Sequence, residues 1–419
     1  MLALYHYILR FFLFFVKPTV TSGAKVEDST GGRIGFSVIY SVVLARNTAF
    51  CYNESEVMTM FELTNHQRRC LGLQEIPGHW FRKNLKPRPG DDYETWVYID
   101  GTTLRKCISS GEKTYTEYDY SEPLSGDLEF LLPKTSRGKP IPLCAVNLWK
   151  RPAFMCLCYA RGYVSLYHNG NQRNYYNSLM ENCSMPNHAS FIRWVESWCM
   201  DTSDADITDV NRFAAEPRKH IKFREGDVFR YRITRRLWGY GRVLLDYSRM
   251  RKKKEPFWDI LMMKPVVCSA YHIATEDPNV PFSTLERLPS LPSCIMADNH
   301  IFYGEYEIIG NIPVSDHEDY PILYGESIRC GENAVMLQQG KIHRVLPGET
   351  AAVSNDFRNN SVGFSLNVRL PVLLECIRQG SNAPYWAQNN WYTRRDLRNP
   401  EFSAEREAIC RQFGIDSLI

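Results

Sequence analysis

Glu305 and Glu307 stand two residues apart in Tyr303-Gly-Glu-Tyr-Glu-Ile-Ile309, with Asp298, His300 and His317 close by in the sequence. Paired carboxylates beside a histidine are the residue types of acid–base hydrolysis, or of a metal site that activates water. The same alternation also suits a half-buried strand, in which the two glutamates form the solvent face while Tyr306 and Ile308 point inward. Cys156 and Cys158 would place both thiols on one face of a strand, with His168 and Cys183 further along. Structural zinc usually takes ligand pairs separated by about two to four residues, because the chain must curl round a tetrahedral ion, so buried thiols are the plainer reading. Gly239-Tyr-Gly241 is a fragment of a dinucleotide-binding pattern, but it leads into a strand and reads as a hairpin turn. The sequence has no Walker phosphate loop, no His-Glu-x-x-His, no Gly-x-Ser-x-Gly and no Cys-x-x-Cys. The expectation is a protein without catalytic residues, metal or cofactor.

Charge placement is more informative. Arg218 to Lys254 carries 14 basic residues and three acidic ones, and is densest at Arg249-Met-Arg-Lys-Lys-Lys254 between Tyr247 and Trp258. A strip of this kind could bind RNA or DNA. Asp298 to Glu326, in contrast, has seven acidic residues and no Lys or Arg. Two readings follow: the stretches partly neutralise one another within one domain, or the acidic surface meets a basic partner such as a nuclease.

These residues belong to a chain of 419 residues, long enough for two domains, with 44% hydrophobic and 23% charged residues. The net charge of +3 points neither to nucleic acid nor to a membrane. Thirteen cysteines, an odd number without repeating spacing, suit reduced thiols better than a secreted disulfide framework. Asn53, Asn182 and Asn359 head Asn-x-Ser sequons, which matter only in a secreted eukaryotic protein. Leu2–Val16 and Ile34–Ala45 are apolar runs, each shorter than the ~18–20 residues that span a bilayer. Arg10 sits inside the first run, where a signal peptide would carry its charge ahead of it. Residues 1–57 therefore read as an apolar extension outside the working protein, and the product as cytoplasmic, with a secretion signal as the other reading.

Regular patterns start at Met60. A short helix is predicted near Thr64, then strands at Thr95–Ile99, Leu104–Ile108 and Thr114–Tyr120, with Asp100-Gly101 as a turn. Ser136–Pro142 reads as a loop, and Met155–Tyr159 and Tyr163–His168 as strands. Phe191, Trp194, Val195 and Trp198 form a helical stripe with Ser190 as its cap, and a second helix from Ser203 buries Ile207, Val210 and Phe213. Beyond Glu216-Pro217, strands are predicted at Asp227–Thr234, Arg242–Tyr247, Trp258–Met262, Val266–Ile273, Ile301–Ile309, Ala334–Gln338 and Ile342–Val345. Leu237–Gly241 reads as a break, and Pro281–Pro292 as a short helix with a loop. Helices at Leu370–Gln379 and after Asn399-Pro400 close the chain. The fold class is α+β: two mainly antiparallel β-rich domains, each with a few helices, at 58–216 and 217–365, and a helical tail at 366–419.

Glu225-Gly-Asp-Val-Phe-Arg-Tyr231 followed by Gly239-Tyr-Gly-Arg-Val-Leu244 resembles the opening of the immunity protein 26 family. Leu288-Pro-Ser-Leu-Pro292, Tyr303-Gly-Glu-Tyr-Glu-Ile-Ile-Gly310 and Asp319-Tyr-Pro-Ile-Leu-Tyr-Gly325 follow in the family's order, so the resemblance spans about 223–347. Residues 60–215 resemble an accompanying segment of longer members. The resemblance implies a bacterial antidote, encoded beside a polymorphic toxin, that protects the producing cell by binding the toxin domain. Some similar proteins carry a phosphotriesterase label, but this sequence lacks the clustered metal ligands that chemistry requires, and the family supplies no catalytic residues.

The expected function is therefore a cytoplasmic, non-catalytic immunity protein that occludes a toxin domain, with a basic nuclease as the natural class of toxin and no membrane, nucleic-acid or small-molecule partner. A phosphotriester hydrolase and a nucleic-acid module using 218–254 are the alternatives. The expected partner contacts are Trp238, Tyr240 and Arg242 in the turn, with Glu305 and Glu307 on the acidic strand, because aromatic and Arg side chains dominate binding hot spots.

Overall fold

The computed structural model describes residues 61–87, 90–251, 264–326, 334–354, 365–388, 390 and 393–418. The expectations for residues 1–57, for Trp258–Met262 and for Lys252–Lys254 lie outside them. Helix α1 (Asn65–Cys70) starts with a capping box: the Thr64 hydroxyl accepts from the Gln67 N–H, and the Gln67 side chain accepts from the Thr64 N–H. Strands β1 (Phe81–Leu85), β2 (Tyr93–Asp100), β3 (Thr103–Gly111) and β4 (Thr114–Pro123) follow. The short strands β5 (Phe130–Leu131) and β6 (Ile141–Pro142) then pair with each other, β6 taking the last two residues of the expected loop. Strands β7 (Met155–Ala160), β8 (Tyr163–His168) and β9 (Arg173–Asn177) complete a seven-stranded antiparallel sheet in the order β1-β2-β3-β4-β7-β8-β9. The meander is the one read from the sequence. Edge strands β1 and β9 are missing from that reading because Phe81-Arg-Lys-Asn-Leu and Arg173-Asn-Tyr-Tyr-Asn lack clean alternation.

Helix α2 (His188–Met200) buries Phe191, Val195 and Trp198. Phe191 stacks on Tyr159 with centroids 4.6 Å apart, which seats the helix on the sheet. Its cap is Asn187, whose side chain accepts from the Ser190 N–H, so Ser190 is the third residue of the helix and not the cap. Helix α3 (Asp204–Ala215) does start at Ser203, again with a capping box, and buries Val210 and Phe213 while Ile207 stays part-exposed.

A buried polar cluster lies between α1 and the first sheet. Lys106 on β3 is fully buried and pairs with Glu117 at 2.6 Å and with Asp119, both on β4. Arg68 of α1 reaches Glu117 at 2.8 Å, Tyr115 donates to Glu117 at 2.6 Å, and the Gln74 N–H donates to Asp119 at 2.8 Å. Burial alone would raise both carboxyls. Lys106 and Arg68 overcome it at Glu117, which is held below its ordinary value, whereas Asp119 stays raised.

The second sheet is antiparallel and uses strands β10 (Asp227–Arg232), β11 (Trp238–Asp246), β12 (Pro265–Ala270), β13 (Cys294–Ala297) and β14 (Glu307–Asn311), in the order β13-β12-β11-β10-β14. The short helix α4 (Asn299–Phe302) lies between β13 and β14 in the chain. One face of the sheet packs Phe229, Tyr231, Val243, Cys268 and Met296 against Leu373, Cys376 and Tyr385 of the tail. Helix α5 (Leu370–Gln379) therefore completes this core before ending at Gly380, whose φ is 62°. A third sheet, β15 (Ile322–Glu326), β16 (Ala334–Gln339) and β17 (Ile342–Pro347), packs Ile322, Tyr324 and Leu337 against Ile409 of helix α6 (Ser403–Phe413). Buried Arg398 ties the tail down through Asp396 at 2.6 Å, Asp319 at 2.8 Å and the Ser293 carbonyl at 2.7 Å. The structure is α+β as expected, and Phe61–Ile419 is one compact unit. Among the described residues, no helix is long and apolar enough to cross a membrane.

Candidate protein-binding face

Strand β11 runs without a break from Trp238, so the expected turn at Leu237–Gly241 is largely strand. The turn comes earlier, where the Thr234 hydroxyl accepts from the Leu237 N–H at 3.0 Å and from the Arg236 N–H at 3.2 Å. Gly239 and Gly241 serve packing. A Cβ at Gly239 would lie 2.5 Å from the Tyr231 ring, and one at Gly241 would lie 2.6 Å from the Phe229 ring. Absent side chains here let two core aromatics lie against the strand backbone.

The register then sorts the expected contact residues. Arg232 pairs with Trp238, Arg230 with Tyr240 and Val228 with Arg242, while Arg230 pairs on its other side with Glu307. By strand alternation, Trp238, Tyr240, Arg242 and Glu307 share the sheet face opposite the Phe229–Tyr231 core. A satellite cluster of Val228, Tyr240, Tyr271 and Leu285 covers the middle of this face, with Phe282 and Val280 packed against it. Tyr240 lies at its bottom, fully buried, and its hydroxyl donates to the Asp277 carbonyl at 3.1 Å and accepts from the Val280 N–H at 3.2 Å. Its expected direct contact with a partner does not fit this placement: it holds the covering loop.

The rim is polar and aromatic. Arg232 lies 4.3 Å and Arg230 5.3 Å from the Trp238 ring centroid, within cation–π range. Arg230 also meets Glu307 at 2.9 Å and donates to the Pro278 carbonyl at 2.6 Å. Arg242 pairs with Glu318 at 2.6 Å. Trp238 is part-exposed and the Glu307 side chain is 55% exposed, so a partner could reach both.

Glu305 is elsewhere. The expected strand over Ile301–Ile309 is broken: helix α4 and a bend come first, and β14 starts only at Glu307. The Glu305 carboxylate accepts from the Asn174 backbone N–H at 2.8 Å and from its side chain at 3.0 Å, and lies 2.8 Å from His300 Nδ1. It joins edge strand β9 of the first sheet to α4 beside the second and is only 13% exposed. Glu305 and Glu307 therefore do not form one solvent face, and the acid–base pairing has no shared site.

Charge is neutralised internally to a similar degree. Arg235 pairs with Asp201, Arg236 with Asp201 at 3.1 Å and Asp206 at 2.5 Å, and Arg232 with Asp209 at 2.8 Å. Lys219, Arg224 and Arg249 have partners in Glu216, Asp227 and Asp246. The described part of the basic stretch is thus largely ion-paired. Much of its compensation comes from α3 and the residues at its two ends, beyond the acidic stretch at 298–326. Arg236 holds Asp206 well below the usual carboxylate range, and Arg235 and Arg236 lower Asp201 from its ordinary value. Among the described residues, no group of three or more His, Cys, Asp and Glu side chains is placed to hold a metal ion. Burial raises the Cys156 and Cys158 thiols, and the cysteines of the described residues are free.

Residues 224–334 match the family described as Immunity protein 26. The matched segment holds every strand of the second sheet, together with β15 and the first residue of β16. No curated protein and no solved structure matches the chain.

Proposed function

We propose that this chain, which carries an immunity protein 26 segment over residues 224–334, binds a cognate bacterial toxin domain and neutralises it by stoichiometric occlusion in the cytoplasm. The observation that supports this reading is the coincidence of the matched segment with one complete five-stranded sheet. An inhibitor needs a rigid surface, and a hydrogen-bonded sheet backed by a core provides one at little ordering cost. Trp238 and Glu307 on the rim are the proposed direct contacts, because a large ring and a carboxylate combine area with directed hydrogen bonds. Arg242, 14% exposed and paired with Glu318, lies behind them. Tyr240 and Glu305 act behind them, one holding the covering loop and the other the joint to the first sheet.

The test is co-expression with the toxin-like domain encoded beside the gene, scored by growth and then by co-purification. Restored growth with a one-to-one complex is the expected result. A soluble, well-expressed protein that neither restores growth nor binds would overturn the assignment for that toxin.

A further inference from the structure

We infer a second binding site, for a peptide carboxylate, in a cleft of about 400 Å³ between the turn after β9 and the helical tail. Its wall carries four carboxamides, Asn182, Asn367, Gln388 and Asn390, with Arg369 among them and Pro371 and Val372 as an apolar side. The size lies within the roughly 300–1,000 Å³ typical of ligand sites.

Arg369 is the reason to expect an anion. The residue is half-buried, and the one side-chain hydrogen bond it makes among the described residues goes to the neighbouring Val368 carbonyl at 3.4 Å. Arg173, Arg230, Arg232 and Arg242, which are half-buried as Arg369 is, each have a carboxylate partner. A fork of N–H donors facing a cleft without such a partner is matched by an incoming carboxylate, which can accept two parallel bonds.

The carboxamides narrow the class. Each offers both a donor and an acceptor, as a peptide amide does, whereas a phosphate would need donors alone. Several of them are held in place. Asn367 Nδ2 donates to the Tyr385 hydroxyl at 3.4 Å, Gln388 Nε2 to the Tyr385 carbonyl at 3.0 Å, and Asn390 exchanges hydrogen bonds with Thr393 at 3.1 Å. The Leu370 N–H donates to the Met180 carbonyl at 2.7 Å, joining the two sides of the cleft. The site lies wholly outside residues 224–334, so it stands or falls independently of the immunity reading.

Titration calorimetry at low salt tests this with three probes: N-acetyl-trialanine bearing a free C-terminal carboxylate, the same peptide amidated, and an amidated peptide with one internal Asp. Saturable binding of the first or third probe, but not the second, is expected, and whichever binds identifies the carboxylate as a chain end or a side chain. Arg369→Gln should weaken that binding by about tenfold or more, as loss of a charge-assisted bond predicts, with an unchanged melting temperature. Arg369→Lys should retain part of it. Absence of saturable heat with all three probes, equal affinity in Arg369→Gln, or tighter binding of inorganic phosphate would overturn the proposal.

Discussion

Arg236 and Asp206 meet as a bidentate pair across the joint between the β10–β11 hairpin and helix α3, with Nη2–Oδ2 at 2.5 Å and Nε–Oδ1 at 3.0 Å. Asp206 also closes the capping box of α3 by accepting from the Ser203 N–H at 2.9 Å. One carboxylate thus starts a helix of the first half and receives the hairpin of the second. The pair is part-exposed, so its coupling in a double-mutant cycle of Arg236→Ala and Asp206→Ala should be about 0.5–1 kcal/mol. Urea denaturation of the four proteins measures it, and strict additivity would show that the joint does not depend on this pair.

Acid should loosen the same joint. Asp201 and Asp206 are held below their unfolded values by Arg235 and Arg236, so their contribution is complete above about pH 4 and is lost as pH falls further. Asp298 has the opposite sign. Burial, opposed by Lys264, raises its carboxyl to about 6, so the folded state binds a proton that the unfolded chain has already released. Stability should therefore fall as pH rises from about 4 through 6, and Asp298→Asn should relieve this at pH 7 by about 1 kcal/mol after allowance for solvent screening. Denaturation at pH 5 and pH 7 checks the sign: a gain from Asp298→Asn that is larger at pH 5 would refute it.

Lys106→Met should be severely destabilising, by about 3–5 kcal/mol, because it leaves Asp119 without its cation and Glu117 with Arg68 alone in a buried site. Adding Asp119→Asn should recover part of the loss. Thermal melts of the single and double variants read this directly, and a double variant no better than the single would mean that packing, and not charge, is what Lys106 supplies.

Trp238→Ala and Tyr240→Phe should separate binding from folding on one sheet face. Loss of the part-exposed ring should weaken toxin binding by about 2 kcal/mol, as at other hot spots. Loss of the buried hydroxyl should cost about 1–2 kcal/mol of stability and leave affinity unchanged, because its partners are the chain's own Asp277 and Val280. Titration of a purified toxin complex beside denaturation of each variant distinguishes the two effects.

Much of the architecture is legible along the chain because it depends on local pattern. Alternation marks β2, β3, β4, β7, β8 and β10, and the Thr64 and Ser203 caps mark two helix starts. Order and spacing of short motifs likewise lead to the family matched over residues 224–334. The readings that fail are those where a distant residue decides. Leu237–Gly241 reads as a turn because two glycines usually bend a chain, yet the Phe229 and Tyr231 rings occupy the space those glycines leave. Glu305 reads as the companion of Glu307, but Asn174 and His300 draw it into the joint. Periodicity and composition by themselves determined the α+β class and the main strands, and the resemblance of short motifs to a known family led to the match of one segment. Only the tertiary structure decided which charges are paired and which side chains remain at the surface, because a carboxylate's role depends on the cation brought beside it in space.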